Sequence, residues 1–165
     1  MAQHPIVVAD AGPLIALSRI GALDLLHALF SRVAMTEEVR REVLPPGDYL
    51  GKSDIQAALD QGWLEVLAPT SSNWQPSNPA IDAGERSAIA AALRIAGALL
   101  VIDDRAGRAE ARACSLPTVG TAAIIGMAKL RGLIPLARPL LDRLAAVGYF
   151  IGPNVINAVL ADVGE

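Results

Sequence analysis

Asp10, Glu42, Glu85 and Asp104 are the residues of this chain whose types and placement could do chemistry. Asp10 ends the apolar run Ile6-Val7-Val8-Ala9, and Asp103 and Asp104 end a second run, Leu99-Leu100-Val101-Ile102. Glu42 and Glu85 fall on the inner faces of two expected helices. A carboxylate at the end of a buried strand is unusual. Several in one crevice repel one another unless a divalent cation neutralises them. Carboxylates gathered around such a cation point to hydrolysis of a phosphodiester.

Each acid also has a plain structural reading. Asp10 precedes Gly12 and Pro13 and would serve as a helix N-cap. At the end of a parallel strand it would equally project into a ligand crevice. In Thr36-Glu37-Glu38-Val39-Arg40-Arg41-Glu42-Val43, Thr36 is a good N-cap, and Glu37 and Glu38 favour the positive end of the helix dipole. Glu42 borders the apolar face beside Val43, with no basic residue at helical spacing to pair with it. Asp82 and Glu85 form an Asp variant of the capping box, yet Glu85 shares a face with Ala88, Ile89, Ala92 and Leu93. Of Asp103 and Asp104, one caps the next helix and the other enters the crevice. Arg108, four residues after Asp104, is placed for a salt bridge or for a substrate phosphate. Thr121 reads as an N-cap whose hydroxyl could face the same crevice.

These residues need a scaffold that brings strand ends together. Five short apolar runs alternate with helical patterns, which predicts an α/β fold with a mostly parallel sheet. Strands are expected near 5–9, 32–35, 63–67, 98–102 and 117–119. Helices are expected near 12–29 (interrupted at Gly21), 37–44, 52–61, 84–96, 105–114 and 121–131, with a final pair near 136–147 and 153–162. Pro45-Pro46-Gly47 stops the helix that carries Glu42. Residues 69–80 are a loop by composition, with Trp74 available to pack on a neighbouring surface.

Length and composition bound the rest. The 165 residues fit one domain, 1–165, and 53% are hydrophobic with only 4% aromatic. No apolar stretch is long enough to span a membrane and no leader is visible before Pro5, so the expectation is a cytoplasmic protein without membrane contact. The single Cys114 rules out an intrachain disulfide and a cysteine-built zinc cluster, and it reads as a small core residue. A net charge of −3 argues against coating nucleic acid by bulk charge, although basic residues cluster locally at Arg105, Arg108 and Arg112. His4 and His27 are too scattered for a catalytic pair. A phosphoacceptor receiver domain would need an Asp at the end of the third strand, and Trp63-Leu64-Glu65-Val66-Leu67 ends in Ala68-Pro69.

The sequence resembles the PIN-domain family of metal-dependent ribonucleases, which includes the VapC-like toxins of bacterial toxin–antitoxin pairs. The stretch from Ile6 through Asp10 to Leu17 looks like the family's first strand, aspartate and helix. Thr36 to Val43 is similar to its second acidic segment, with Glu42 as the acid. Gly84-Glu85-Arg86-Ser87-Ala88-Ile89 is similar to the third, with Glu85 where many relatives carry Asp. Leu100-Val101-Ile102-Asp103-Asp104 is similar to the fourth, with Asp104 in the usual place, Ile102 where many toxins have Thr or Ser, and Asp103 as an additional acid. The run from Gly84 to Thr121 is closer to a less characterised PIN-like branch. The likeness is clearest over 5–132, and 133–165 are expected as C-terminal helices.

This resemblance implies a three-layer α/β/α domain with about five strands. It implies Mg²⁺ or Mn²⁺ held by Asp10 and Asp104 directly, with Glu42 and Glu85 as further catalytic acids and Asp103 as an additional ligand. Arg105, Arg108 and Thr121 would contact substrate. The implied activity is endonucleolytic cleavage of single-stranded RNA by the toxin of a type II pair, with a cognate antitoxin and a homodimer as partners. The alternative is a non-catalytic binding or regulatory module on the same fold.

Overall fold

The computed structural model describes residues 5–69 and 71–165. Readings placed on residues 1–4, His4 among them, and on Thr70 fall outside the described residues. A five-stranded, all-parallel sheet forms the middle layer, with β1 (Val7–Ala9), β2 (Val33–Met35), β3 (Leu64–Val66), β4 (Leu99–Val101) and β5 (Thr118–Val119). The expected strands are all present, each shorter at its ends than the apolar run that marks it. Helices flank this sheet in a three-layer α/β/α arrangement, and nine are seen among the described residues.

Strand order is β3-β2-β1-β4-β5. The chain therefore winds outward from β1 in one direction, then restarts beside β1 with β4 and winds the other way. Ligand crevices in open parallel sheets form beyond the carboxyl ends of the strands at such a reversal. Here the reversal lies between β1 and β4. Their register pairs Val7 with Leu99, Val8 with Leu100 and Ala9 with Val101. The Asp10 N–H continues the ladder to the Val101 carbonyl at 2.9 Å. Asp10 thus leaves the sheet next to the strand that ends in Asp103 and Asp104. Both inner strands are wholly apolar because helices cover both of their faces, so Val7, Val8, Leu100 and Val101 are almost completely buried.

The helical run expected over 12–29 is two helices, α1 (Ala11–Arg19) and α2 (Asp24–Phe30), bent by 117°. Gly21 takes φ +68° in the connection, a backbone that L side chains rarely adopt. Among the described residues no single helix is long and apolar enough to cross a membrane. Helix α3 (Glu37–Val43) starts as expected at Thr36, whose hydroxyl accepts from the Val39 N–H at 3.2 Å, and Glu37 pairs with Arg40 and Arg41. Helix α4 (Lys52–Gln61) follows the proline stop. Helix α5 (Ala83–Leu93) opens with the full capping box between Asp82 and Glu85. It packs against α3, β1 and β4, which carries Glu42 and Glu85 towards the strand ends.

Helix α6 (Arg105–Ala113) and helix α7 (Thr121–Leu130) follow β4 and β5. The last pair, α8 (Arg138–Ala146) and α9 (Pro153–Asp162), forms where expected, and α7 packs on both. Gly126 permits close passage of α9, since a Cβ there would lie 2.9 Å from Val159 Cγ1. His27 is exposed and stacks on buried Trp63 at 5.2 Å between ring centroids, while Trp74 packs half-buried against the core. Cys114 is half-buried at the end of α6 rather than in the core, because the helix stops there and turns the backbone towards the surface.

Candidate active site

A crevice of about 990 Å³ opens at the β1/β4 reversal, and Asp10, Glu42, Asp82, Glu85, Asp103 and Asp104 all line it. All five carboxylates singled out from the sequence therefore reach one place, carried by two strand ends and two helices. A separate cavity of about 490 Å³ lies between α3, α5 and the following loops, away from these acids.

Asp10 sits deepest, only 6% exposed. It occupies the N-cap position of α1 in extended backbone, but its side chain makes no cap hydrogen bond there. Burial pushes its carboxyl up to about 7. The Ala11 N–H opposes that rise, and the charges of Glu85, Asp82 and Glu42 add to it. Glu85 is half-buried. Burial raises its pKa, the Asp82 N–H it accepts at 3.2 Å offsets part of this, and the charges of Asp82, Asp104 and Glu42 push further up. Glu85 thus completes the capping box of α5 and also lines the crevice.

Glu42 projects from the last turn of α3 and is more exposed than an inner-face position suggested, because α3 ends one residue later. Its pKa is raised by partial burial and by Asp82. Its carboxylate lies over Gly84 in the first turn of α5. A Cβ on residue 84 would come 2.0 Å from Glu42 Oε1, so glycine leaves the room that the carboxylate occupies.

The paired acids after β4 separate in role. Asp104 caps α6, accepting from the Gly107 N–H at 2.8 Å, and still borders the crevice. Asp103 is taken up by hydrogen bonds. It accepts from the Thr121 N–H at 2.7 Å, the Thr121 hydroxyl at 2.5 Å and the Tyr149 hydroxyl. The expectation for Thr121 is corrected here. It is fully buried as the first residue of α7, and its hydroxyl is given to Asp103 instead of facing the crevice. The cap comes from Asp103, two residues past the end of the neighbouring strand β4, because Gly120 has no side chain to supply one.

Arg105 and Arg108 line the crevice on α6. The i,i+4 pair between Asp104 and Arg108 does not form, since Asp104 turns back to cap its own helix. Among the described residues neither arginine is in an ion pair.

Sequence reasoning missed Tyr149 and Phe150, which enter the crevice from the α8–α9 connection. Burial and the charge of Asp103 hold the Tyr149 phenol well above its ordinary pKa. No local pattern marks it, because its partner stands 46 residues earlier in the chain.

The donor set is all carboxylate oxygen, the chemistry that Mg²⁺ and Mn²⁺ prefer. The raised Asp10 carboxyl, crowded by like charges, is the kind of group a cation would return to its ionised form. The residues fit a hard divalent cation in kind. They do not form a closed cage, for among the described residues no three His, Cys, Asp or Glu side chains converge closely enough to hold one ion.

The all-parallel α/β/α sheet gathers its acids at the reversal between β1 and β4. A family model for the PIN domain matches residues 6–165, and the chain belongs to that family. The match runs through α8 and α9, beyond residues 5–132, where the likeness of the motifs is clearest. No curated protein matches the chain. PIN domains are in general nucleases.

Proposed function

We propose that this crevice is the active site of a metal-dependent endoribonuclease that hydrolyses single-stranded RNA, carried by a single domain spanning 1–165. The observation that carries the reading is buried Asp10. It lacks a cationic partner among the described residues, faces Glu42 and Glu85, and opens onto a crevice edged by two free arginines. Structural acids are seldom left that way.

Asp10 and Asp104 would hold the cation, with Glu42 and Glu85 ligating from the α3 and α5 side. When bound, a divalent cation eases loss of a proton from water and offsets the charge that develops on the phosphate oxygens. Whichever of Glu42 and Glu85 does not ligate directly would orient the attacking water and accept its proton. Arg105 and Arg108 hold flanking phosphates. Water adds at phosphorus, the bond to the leaving ribose oxygen breaks, and a proton goes to that oxygen. Asp103 acts as a fixed brace through Thr121 and Tyr149, which places it behind the other acids as a ligand. A single strand, whose unstacked bases and flexible backbone can bend into a crevice, suits the site better than a stiff duplex.

The family resemblance extends the reading to the toxin of a type II toxin–antitoxin pair, working in the cytoplasm as a homodimer with a cognate antitoxin. The second reading, a non-catalytic binding module, is favoured by one observation: Glu85 and Asp104 are both employed as helix caps. The deciding experiment incubates a mixed single-stranded RNA pool with wild type and Asp10→Asn in Mg²⁺, Mn²⁺ or EDTA. Cutting that needs metal and vanishes in the variant supports the nuclease. Well-folded wild type that cuts nothing with either metal moves the weight to the binding module.

A further inference from the structure

We infer that Phe150 is a stacking platform for an unpaired nucleobase at the mouth of the acidic crevice, a subsite that sets where the RNA strand lies. The inference rests on the nuclease reading and adds a substrate contact to it.

The chain has six aromatic residues. Trp63 and Phe30 are buried in the core. Tyr49, Trp74 and Tyr149 are half-buried. Phe150 alone stands out, 83% exposed, and it borders the crevice that holds Asp10, Asp103 and Asp104. Its phenyl ring lies open to water at the rim of a cleft whose walls mix charged and apolar side chains, so its face is free to take a flat apolar group. The surroundings select which kind. On one side are carboxylates and the two arginines, and Asn154 is close by on the same rim. A nucleic-acid strand presents a flat apolar base together with charged phosphates, which matches a ring beside arginines. Stacking on an aromatic ring accepts any base, because every base has a π-face.

The backbone next to the ring is tethered. Its neighbour Tyr149 donates its hydroxyl to Asp103, and the Tyr149 N–H reaches the Leu144 carbonyl at 2.9 Å. Phe150 is therefore one residue from an anchor on the site itself. A base stacked there is registered against the acids and not merely retained on the surface.

The test compares wild type, Phe150→Ala and Phe150→Trp. Steady-state cleavage is measured on one short single-stranded RNA and on a set of copies with an abasic position moved along it. Phe150→Ala should raise KM by about 5- to 150-fold with kcat nearly unchanged, and Phe150→Trp should restore KM. One abasic position should weaken wild type as much as Phe150→Ala does and leave that variant no weaker still. An unchanged KM in Phe150→Ala overturns the subsite. So does a KM loss that is the same at every abasic position, which would assign the ring to an apolar protein partner. Binding of the same fluorescent RNAs to Asp10→Asn, with and without Phe150→Ala, is measured in parallel by anisotropy. If wild type does not cleave, a base-dependent loss of binding keeps the subsite while the nuclease reading fails. Absence of cleavage by wild type, together with absence of binding by wild type and by Asp10→Asn, overturns both.

Discussion

Two acidic corners of this molecule are built in opposite ways. At the joint of α7, α8 and the end of α9, Glu165 accepts from the Ala137 N–H at 2.6 Å and the Arg138 N–H at 3.0 Å, and it pairs with Lys129 at 3.0 Å. Those donors, the Ala137 N–H foremost, lower its pKa to about 2. In the crevice, Asp10 is given burial and like charges, and its carboxyl rises to about 7. Glu110, like Glu165, is met by backbone donors. It is 8% exposed, yet it accepts from the Ser77 and Asn78 N–H groups and ties the 69–80 loop to α6. Burial alone therefore does not single out a working acid in this chain. What separates Asp10 is that only the Ala11 N–H opposes its burial, while the other groups facing it are carboxylates.

The sharpest way to break this contrast is Asp10→Asn. Loss of one charge at the reacting centre should lower metal-dependent RNA cleavage by about 10²- to 10⁴-fold, while circular dichroism stays native. A variant that keeps most of its activity would make Asp10 one more structural acid.

The next largest effect is in pH dependence, and the two corners should respond with opposite sign. A carboxyl whose folded pKa is raised contributes stability below its unfolded value of 3.8, and that contribution is lost as pH rises through about 7. For Asp10 the ceiling is on the order of 4 kcal/mol. Glu165 is the reverse case. Its contribution is present above the unfolded value of 4.5 and is lost as pH falls through about 2. Urea unfolding in EDTA should show Asp10→Asn removing part of the decline between pH 4 and 8, and Glu165→Gln removing part of the acid decline. Parallel curves for wild type and both variants would dissolve the distinction.

A smaller effect is expected from Tyr149→Phe, which leaves Asp103 with its two Thr121 donors. Loss of a hydrogen bond to a charged acceptor should cost about 1.5–3 kcal/mol in chemical denaturation. Cleavage should fall about tenfold, as for other residues that orient a site from behind.

Gly84→Ala should give the smallest stability change and the most telling sign. Alanine favours a helix over glycine by about 1 kcal/mol, so the melting temperature should hold or rise. The new Cβ would occupy the space of the Glu42 carboxylate and turn it out of the crevice. Mn²⁺ affinity by calorimetry should then fall about tenfold. Unchanged affinity would remove Glu42 from the set of ligands.

Much of this was legible in the residues themselves. Apolar runs bounded by turns marked all five strands, and Thr36 and Asp82 marked two helix starts. The convergence of Asp10, Glu42, Glu85 and Asp104 followed once a parallel sheet was expected, because such a sheet sends its strand ends to one edge. The strand limits were less legible, since an apolar residue beyond the last ladder bond reads the same as one inside it. What sequence could not give were partnerships between side chains far apart in the chain. The Asp103 bonds to Thr121 and Tyr149, and the Glu110 bonds to the loop, depend on how layers meet, and no periodicity encodes them. The same reason hid the exposure of Phe150.

The Tyr149 bond also has a consequence in time. Proteins are made from the N-terminus at roughly 5–20 residues per second. Every carboxylate of the crevice has been made by residue 104, whereas Tyr149 follows Asp103 by 46 residues. A growing chain therefore holds all its acids for roughly 2–10 seconds before it gains the side chain that braces one of them. Of the groups that hold Asp103, Tyr149 is thus the last to be made, after Thr121.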